Sequence, residues 1–290
     1  MASSVQDSLV TVRDVEGLRQ RVRSWKKSGL SVALVPTMGA LHHGHVVLME
    51  QAHAMADRVI ATIFVNPSQF GPHEDFSAYP RQEARDFEIL DKAGVHVLFA
   101  PTAESMYPPG FTTSVKLAGL TDVLCGPLRP GHFNGVATVV TKLLLQAQPD
   151  IALFGEKDFQ QLVVIQRVAA DLNIPVDIIG VATVREHDGL AMSSRNAYLT
   201  PDERAQAPAL YCAIRTAAGK IHQGEDPKGA TEEAKASILA AGFRSIDYVD
   251  TRQAKTLALL KRGESLGRVF AAAHLGRARL IDNVEISENV

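Results

Sequence analysis

Val35-Pro36-Thr37-Met38-Gly39-Ala40-Leu41-His42-His43-Gly44-His45 marks a change of periodicity, and that change sets the fold class. Ahead of it, Ser31 to Val35 is a short apolar run closed by Pro36. Behind it, apolar residues fall at helical spacing, at Val46, Val47, Met49 and Met55. The order is strand, turn, helix, and it repeats. Arg58 to Val65 is a β-branched run, Arg81 to Ala93 has helical composition, and Val95 to Phe99 is a buried-strand candidate closed by Pro101. Gly135 to Gln148 then reads as a helix, Ile151 to Phe154 as a strand, Phe159 to Leu172 as a helix and Val176 to Val181 as a strand. Such alternation predicts an α/β fold, a Rossmann-like parallel sheet with helices on both faces.

The pattern changes near Val184. Thr200-Pro201-Asp202-Glu203 combines an N-cap residue, proline at the first helical position and early acids, so a helix is expected from there toward Ile221. A second is expected over Thr231 to Ala241. Ser245 to Val249, Arg268 to His274 and Arg279 to Val284 are short strands whose spacing and glycine turns suit an antiparallel meander. Residues 1–183 are therefore expected to form the sheet domain, and residues 184–290 a small C-terminal α+β domain.

Of the 290 residues, 46% are hydrophobic and 21% charged, and the formal net charge is −2, so nothing in the balance calls for nucleic acid or a membrane. The Leu143 to Leu145 run is broken by Lys142 and Gln146, far short of the ~18 apolar residues of a membrane helix. Met1 to Asp14 lack a basic start followed by an apolar core, so no secretion signal is expected and the cytoplasm is the expected compartment. Cys125 and Cys212 alone make neither a disulfide framework nor a cysteine-built zinc site.

Four segments carry chemistry. The first is the quoted stretch itself. A helix start at the carboxyl edge of a parallel sheet offers backbone N–H groups and a partial positive charge to phosphate oxygens. His42 and His45, three apart, share one face of that turn, and their imidazole N–H groups suit charge building on a phosphate. The same histidines also read as a solvated cap, or as half of a metal site whose other ligands local spacing does not supply. The second, Gly155-Glu156-Lys157-Asp158, again follows a strand; it pairs a glycine open to close approach with a lysine for phosphate, or is an ordinary turn. The third, Met192-Ser193-Ser194-Arg195-Asn196, sets two hydroxyls beside a guanidinium, a grip for a triphosphate or a solvated loop. The fourth, Phe64-Val65-Asn66-Pro67-Ser68-Gln69-Phe70, places Asn66 and Gln69, which both donate and accept, where a small hydroxy acid could be held, in a loop able to act as a lid or simply to turn.

With these four in place the chain resembles, over nearly its full length, the pantothenate synthetase (pantoate–β-alanine ligase) family of the nucleotidyltransferase superfamily. His-x-Gly-His with a distant serine-bearing loop marks only the superfamily. The set Pro36 to His45, Phe64 to Phe70, Gly155-Glu156-Lys157-Asp158-x-Gln160-Gln161 and Ser193-Ser194-Arg195-Asn196 is characteristic of the one family. The resemblance implies ATP-dependent condensation of (R)-pantoate with β-alanine through a pantoyl adenylate, releasing AMP and pyrophosphate. It implies ATP contacts from Met38, Gly39, Ala40, Leu41, His42, His43, Gly44 and His45, from Gly155, Glu156, Lys157 and Asp158, and from Val184, Met192, Ser193, Ser194 and Arg195. Among these His42, His45, Lys157, Ser193, Ser194 and Arg195 take catalytic roles, His45 as the acid. Gln69 and Gln161 are the implied pantoate ligands, Gln69 also lying near β-alanine, and Asn66 stands with them as substrate-binding. Mg²⁺ is implied as a companion of the nucleotide. Arg85-Asp86 stands where some relatives have adjacent acids, so no protein ligand is assigned to the metal. Arg129 and His132 are assigned to phosphate or to a subunit contact, and a homodimer through the large domain is implied.

Two other readings remain open at this point. One is a different adenylyl- or cytidylyltransferase that transfers the nucleotide and stops; the other is an ATP-sensing module without catalysis.

Overall fold

The computed structural model describes residues 8–72, 74, 76–264 and 266–287, so the first seven residues of the Met1 to Asp14 stretch lie outside it. In chain order the elements are β1 (Val10–Val12), α1 (Val15–Lys27), β2 (Val32–Thr37), α2 (His43–Met55), β3 (Arg58–Ile63), α3 (Glu83–Lys92), β4 (Val97–Phe99), α4 (Ala103–Met106) and α5 (Cys125–Leu128). There follow α6 (His132–Ala147), β5 (Ile151–Gly155), α7 (Phe159–Asp171), β6 (Asp177–Val181), α8 (Pro201–Gln206), α9 (Ala209–His222), α10 (Pro227–Ala240), β7 (Ser245–Gln253), β8 (Gly267–Leu275) and β9 (Ala278–Glu285). The chain divides into two compact units. One comprises the described residues up to 117 with 129–156 and 164–181; the other comprises 118–128, 157–163 and the described residues from 182 onward.

The first unit is built on a six-stranded sheet in the order β1-β4-β3-β2-β5-β6, with every pairing parallel. Successive residues Val32, Ala33, Leu34 and Val35 are all fully buried, as are Val59, Ile60 and Ala61. Side chains alternate between faces along a strand, so burial at consecutive positions means that both faces are covered. Helices α1 and α6 pack on each other and on β2, while α2 lies against β2, β3 and β5. Although Pro36 marks the expected end of its strand, β2 runs on to Thr37. Its pairing with β5 stops at Leu34, so Pro36 lies where only β3 remains alongside.

Three elements here have no counterpart in the sequence analysis: β1, α1 and the single turn of α4, which Thr102 caps by accepting the Ser105 N–H. The three residues of β1 exist by pairing with β4, Val10 beside Val97 through Val12 beside Phe99. Helix α1 buries only Leu18 and Val22 among charged neighbours, too sparse an apolar stripe to stand out; its start is fixed by Asp14, which accepts the Gly17 N–H at 2.8 Å.

In the second unit β7, β8 and β9 form the expected antiparallel meander, and α9 and α10 cover it with Ile214, Ala217, Ala218, Ala234 and Ile238. The single helix expected from Thr200 is two. Thr200 and Glu203 form a reciprocal capping box at the start of α8, but Pro208 has no N–H to continue the ladder and α9 begins afresh at Ala209. Helix α10 starts four residues ahead of Thr231, because Asp226 caps it and Pro227 fits its first turn.

Residues 118–128 join this second unit through Gln160. Its amide nitrogen donates to the carbonyls of Leu120 (2.9 Å) and Val123 (2.8 Å), and its oxygen accepts the Cys125 N–H (3.0 Å). Leu124 packs beside with Val163, Leu257 and Phe270. Gln160→Ala leaves these backbone groups without their partner, so urea unfolding is expected to show a loss of about 1–3 kcal/mol.

Candidate active site

The strand order reverses at β2: the chain leaves it for β3 on one side, while β5 pairs with it on the other. Ligands of open α/β sheets bind beyond the strand ends at such a reversal. Met38 follows the last residue of β2, and Gly155 is the last residue of β5, so two of the four motif segments leave strands at this point.

The segment from β2 to α2 is held by hydrogen bonds and by Leu41, which is buried in the core beside the sheet. Thr37 Oγ1 donates to the Thr62 carbonyl (2.6 Å) and accepts the Gly39 N–H (3.1 Å). Gly39 (φ +80°) and Ala40 (φ +51°) turn through the left-handed region. The Asp86 carboxylate, only 1% exposed, accepts the N–H groups of Ala40 and Leu41 at 2.9 Å each. The His42 N–H donates to His45 Nδ1 at 3.2 Å. The main-chain donors of residues 39–42 are thus all engaged. Those that helix geometry leaves for an anion belong to the first turn of α2, at His43 and Gly44.

The bond to His45 Nδ1 also sets that ring's chemistry. A nitrogen that accepts cannot carry the proton, so neutral His45 presents Nε2–H as a donor. The His42 ring lies 4.1 Å from it, centroid to centroid, whereas the His43 side chain is exposed.

The turn Pro67–Gln69 follows β3. Asn66 is buried with both ends of its amide engaged: Nδ2 donates to Gln69 Oε1 (3.2 Å) and the Gly135 carbonyl (3.2 Å), while Oδ1 accepts from Tyr107 Oη (2.8 Å) and Ser68 Oγ (2.9 Å). Burial raises the Tyr107 pKa, so its hydroxyl stays a donor at neutral pH. Asn66, read from the sequence as a substrate-binding candidate, is seen here to orient Gln69. Gln69 Nε2 in turn lies 2.9 Å from Met38 Sδ, which brings the first and fourth motif segments into contact. Helix α6 abuts this turn so closely that a Cβ on Gly135 would fall 2.3 Å from the Ser68 carbonyl oxygen.

Arg129 and His132, assigned from sequence to phosphate or a subunit contact, are engaged with the same turn. Arg129 grips Glu74 with two bonds, Nε to Oε1 (2.6 Å) and a terminal nitrogen to Oε2 (2.7 Å), and sets its other terminal nitrogen 2.9 Å from His132 Nε2. His132 Nδ1 lies 2.8 Å from the Gln69 carbonyl. Burial draws the Glu74 pKa upward, but the bonds to Arg129 outweigh it and hold the carboxyl below its ordinary range, so the ion pair persists at neutral pH.

In the second unit, Lys157 sits in the 3₁₀ turn Glu156–Asp158, its amine 3.8 Å from Asp158 and its carbonyl accepting from Asn283 Nδ2 (3.1 Å). Residues 184–192 double back: Arg185 bridges to Ala191, and the Met192 N–H donates to the Val184 carbonyl (3.0 Å), which sets Val184 beside Met192 and Ser193. Arg185 is anchored by two bonds to buried Asp282 and stacks 3.8 Å from the Tyr211 ring. Ser193 caps the turn Ser194–Tyr198, accepting the Arg195 N–H at 3.3 Å, so both serines and the guanidinium leave one short turn. Gln161 follows buried Gln160 in the first turn of α7 and is itself only part-buried.

No group of three or more His, Cys, Asp or Glu side chains fit to hold a metal ion occurs among the described residues. Asp86, the acid standing where some relatives have a pair, has both oxygens on main-chain N–H groups. These residues offer a metal no protein cage.

A doubly wound parallel sheet with paired histidines at the helix start beyond its switch point defines a nucleotide-binding α/β protein. The family described as Pantoate-beta-alanine ligase matches residues 10–285, and the chain belongs to it. It is 56% identical over 275 residues to the pantothenate synthetase of Paramagnetospirillum magneticum, covering 95% of this chain and 97% of that one. The crystal structure of pantothenate synthetase from Thermus thermophilus superposes with a TM-score of 0.89 at 45% identity, over 95% of this chain and 99% of the other. That of the Francisella tularensis pantoate-beta-alanine ligase, solved with "Beta-gamma ATP" and β-alanine, gives 0.82 at 33% identity, over 96% and 98%.

Neither Asp86 nor the Arg129–His132 arrangement stood out as such in the sequence. The sequence marks Asp86 only through Arg85-Asp86, where some relatives have adjacent acids, and Arg129 and His132 only as candidates for phosphate or a subunit contact; Asp86 lies 45 residues beyond Leu41, too far for a local pattern to show the pairing. Asp86→Asn replaces an acceptor oxygen by an amine facing a main-chain N–H. Chemical unfolding is expected to show a loss of about 1–3 kcal/mol, with a raised KM for ATP in whatever folds.

Proposed function

We propose that this chain joins pantoate to β-alanine at the expense of ATP, by way of a pantoyl adenylate. The observation that carries this reading is the contact between Gln69 and Met38, which sets an amide fit for a hydroxy acid against the segment that leads into the phosphate-binding helix start. In the first step a pantoate carboxylate oxygen attacks the α-phosphorus and the bond to the bridging oxygen breaks, expelling pyrophosphate. His45 Nε2–H and His42, together with the first-turn N–H groups of α2, suit the negative charge that builds on the α-phosphate. Lys157, Ser193, Ser194 and Arg195 suit the β- and γ-phosphates and the departing pyrophosphate. In the second step the β-alanine amine attacks the acyl carbon, AMP leaves with the carboxyl oxygen, and the amine gives up a proton. The work is alignment and electrostatics, with no covalent enzyme intermediate.

Within this scheme Gln69 and Gln161 bind pantoate, and Met38 to His45, Gly155 to Asp158, Val184 and Met192 to Arg195 surround ATP. Residues 1–183 serve as the nucleotide- and pantoate-binding domain, and the C-terminal domain from residue 184 contributes the serine and arginine turn. Mg²⁺ enters as part of MgATP, held by phosphate oxygens and water. A homodimer is the assembly proposed, which light scattering checks directly. Cys125 and Cys212 are both free, and no described helix is long and apolar enough to cross a membrane, features that suit the cytoplasm.

A transferase that hands a nucleotide to some other acceptor would form pyrophosphate without pantoate. Purified protein with MgATP, D-pantoate and β-alanine is expected to form AMP, and no AMP without pantoate. Lys157→Ala is expected to lower adenylate formation by at least ~100-fold while the circular dichroism spectrum stays unchanged. Gly155 supplies a separate check. A Cβ there would meet no protein atom within 4 Å, so neither crowding nor strain within the chain accounts for the glycine. If ATP approaches this edge, Gly155→Ala keeps the melting temperature and raises the KM for ATP; an unchanged KM would remove Gly155 from the nucleotide site.

A further inference from the structure

Hydrogen-bond chemistry leaves one proton arrangement for the Arg129–His132 pair. A guanidinium has N–H donors and no acceptor, so His132 Nε2, 2.9 Å from it, must accept. The carbonyl of Gln69, 2.8 Å from Nδ1, can only accept, so Nδ1 must carry the proton. The ring is neutral and held as the Nδ1–H tautomer. Arg129 cannot swing away, because Glu74 holds its Nε and one terminal nitrogen together. On the far side of the turn the Gln69 side chain is set by Asn66, and Gly135 lets α6 touch the Ser68 and Gln69 main chain without a gap.

We infer that Glu74, Arg129 and His132 form a positioning relay for pantoate: the ion pair fixes the tautomer of His132, and His132 fixes the main chain from which Gln69 reaches the substrate. The relay touches no reacting atom. It rests on the assignment of Gln69 to pantoate made above, and it gives Arg129 and His132 a task other than gripping phosphate or a second subunit. Because the relay meets the turn at the Gln69 carbonyl, it is expected to act on pantoate and to leave ATP binding alone.

Nitrogen-15 spectra of histidine-labelled full-length protein, together with steady-state KM values for each substrate, test this. The wild-type His132 signal is expected in the Nδ1–H pattern at neutral pH; an Nε2–H pattern would overturn the inference without any mutation. His132→Ala is expected to raise the KM for pantoate by ~10-fold, the equivalent of about one hydrogen bond, while the KM for ATP moves by less than ~2-fold. Asparagine places a donor where Nδ1 stood, whereas glutamine places its groups where Nε2 stood. His132→Asn should therefore return the pantoate KM to within ~3-fold of wild type, and His132→Gln should not. Equal rises for ATP and pantoate, or no difference between the two amides, would mean that His132 only supports the fold. Gln69→Ala separates the two levels. If it leaves the pantoate KM unchanged, the assignment of Gln69 fails; if it raises that KM while His132→Ala does not, the relay fails alone.

Discussion

The buried carboxylate of Asp86 is the interaction on which the nucleotide end of the first unit depends. An anion with almost no exposure is tolerable only when its charge is met, and here it is met by two main-chain N–H groups of a loop that has already turned left-handed at Gly39 and Ala40. Its partner across the segment is small by necessity, because a Cβ on Gly39 would fall 2.9 Å from Asp86 Oδ2. The carboxylate thus decides which backbone donors remain for a ligand. It removes those of residues 40 and 41 and leaves the first turn of α2, where the helix field is strongest.

The same logic of assigning protons by who can accept runs through the rest of the unit. A main-chain N–H makes His45 Nδ1 an acceptor, and a guanidinium makes His132 Nε2 one. The two histidines are consequently neutral rings with opposite tautomers, His45 carrying its proton on Nε2 and His132 on Nδ1, where it faces a carbonyl. In the second unit Arg185, held by Asp282 and stacked on Tyr211, is the fixed point around which residues 184–192 fold back to present Ser193 and its neighbours.

What the sequence allowed one to read follows from how local each cause is. The alternation that gives β2, α2, β3 and β4 is written into consecutive residues, as are the cap at Thr200 and the meander from β7 to β9. Strand β1 escaped because its three residues owe their form to β4, nearly ninety positions away. The cap at Thr200 announces a helix start but says nothing of its length, which Pro208 limits by removing a backbone N–H. The candidate residues of each unit divide in the same way. His42, His45, Lys157 and Ser193 to Arg195 lie in compact motifs, whereas Asp86, Glu74 and Tyr107 act on partners 45, 55 and 41 residues distant. The motif locates Asn66, but its bonds to Gln69, Gly135, Tyr107 and Ser68 belong to packing that no local pattern records.

Gly135 occupies an interior position of α6, where glycine weakens a helix by roughly 1 kcal/mol relative to alanine. Its missing methyl is where the Ser68 and Gln69 backbone lies. Sequence drift toward better helix formers is thus blocked at this residue from outside the helix. A variant protein carrying alanine there would have a helix more favourable in isolation and a turn forced off its seat, so the thermodynamics of α6 and the geometry around Gln69 pull the choice of residue in opposite directions.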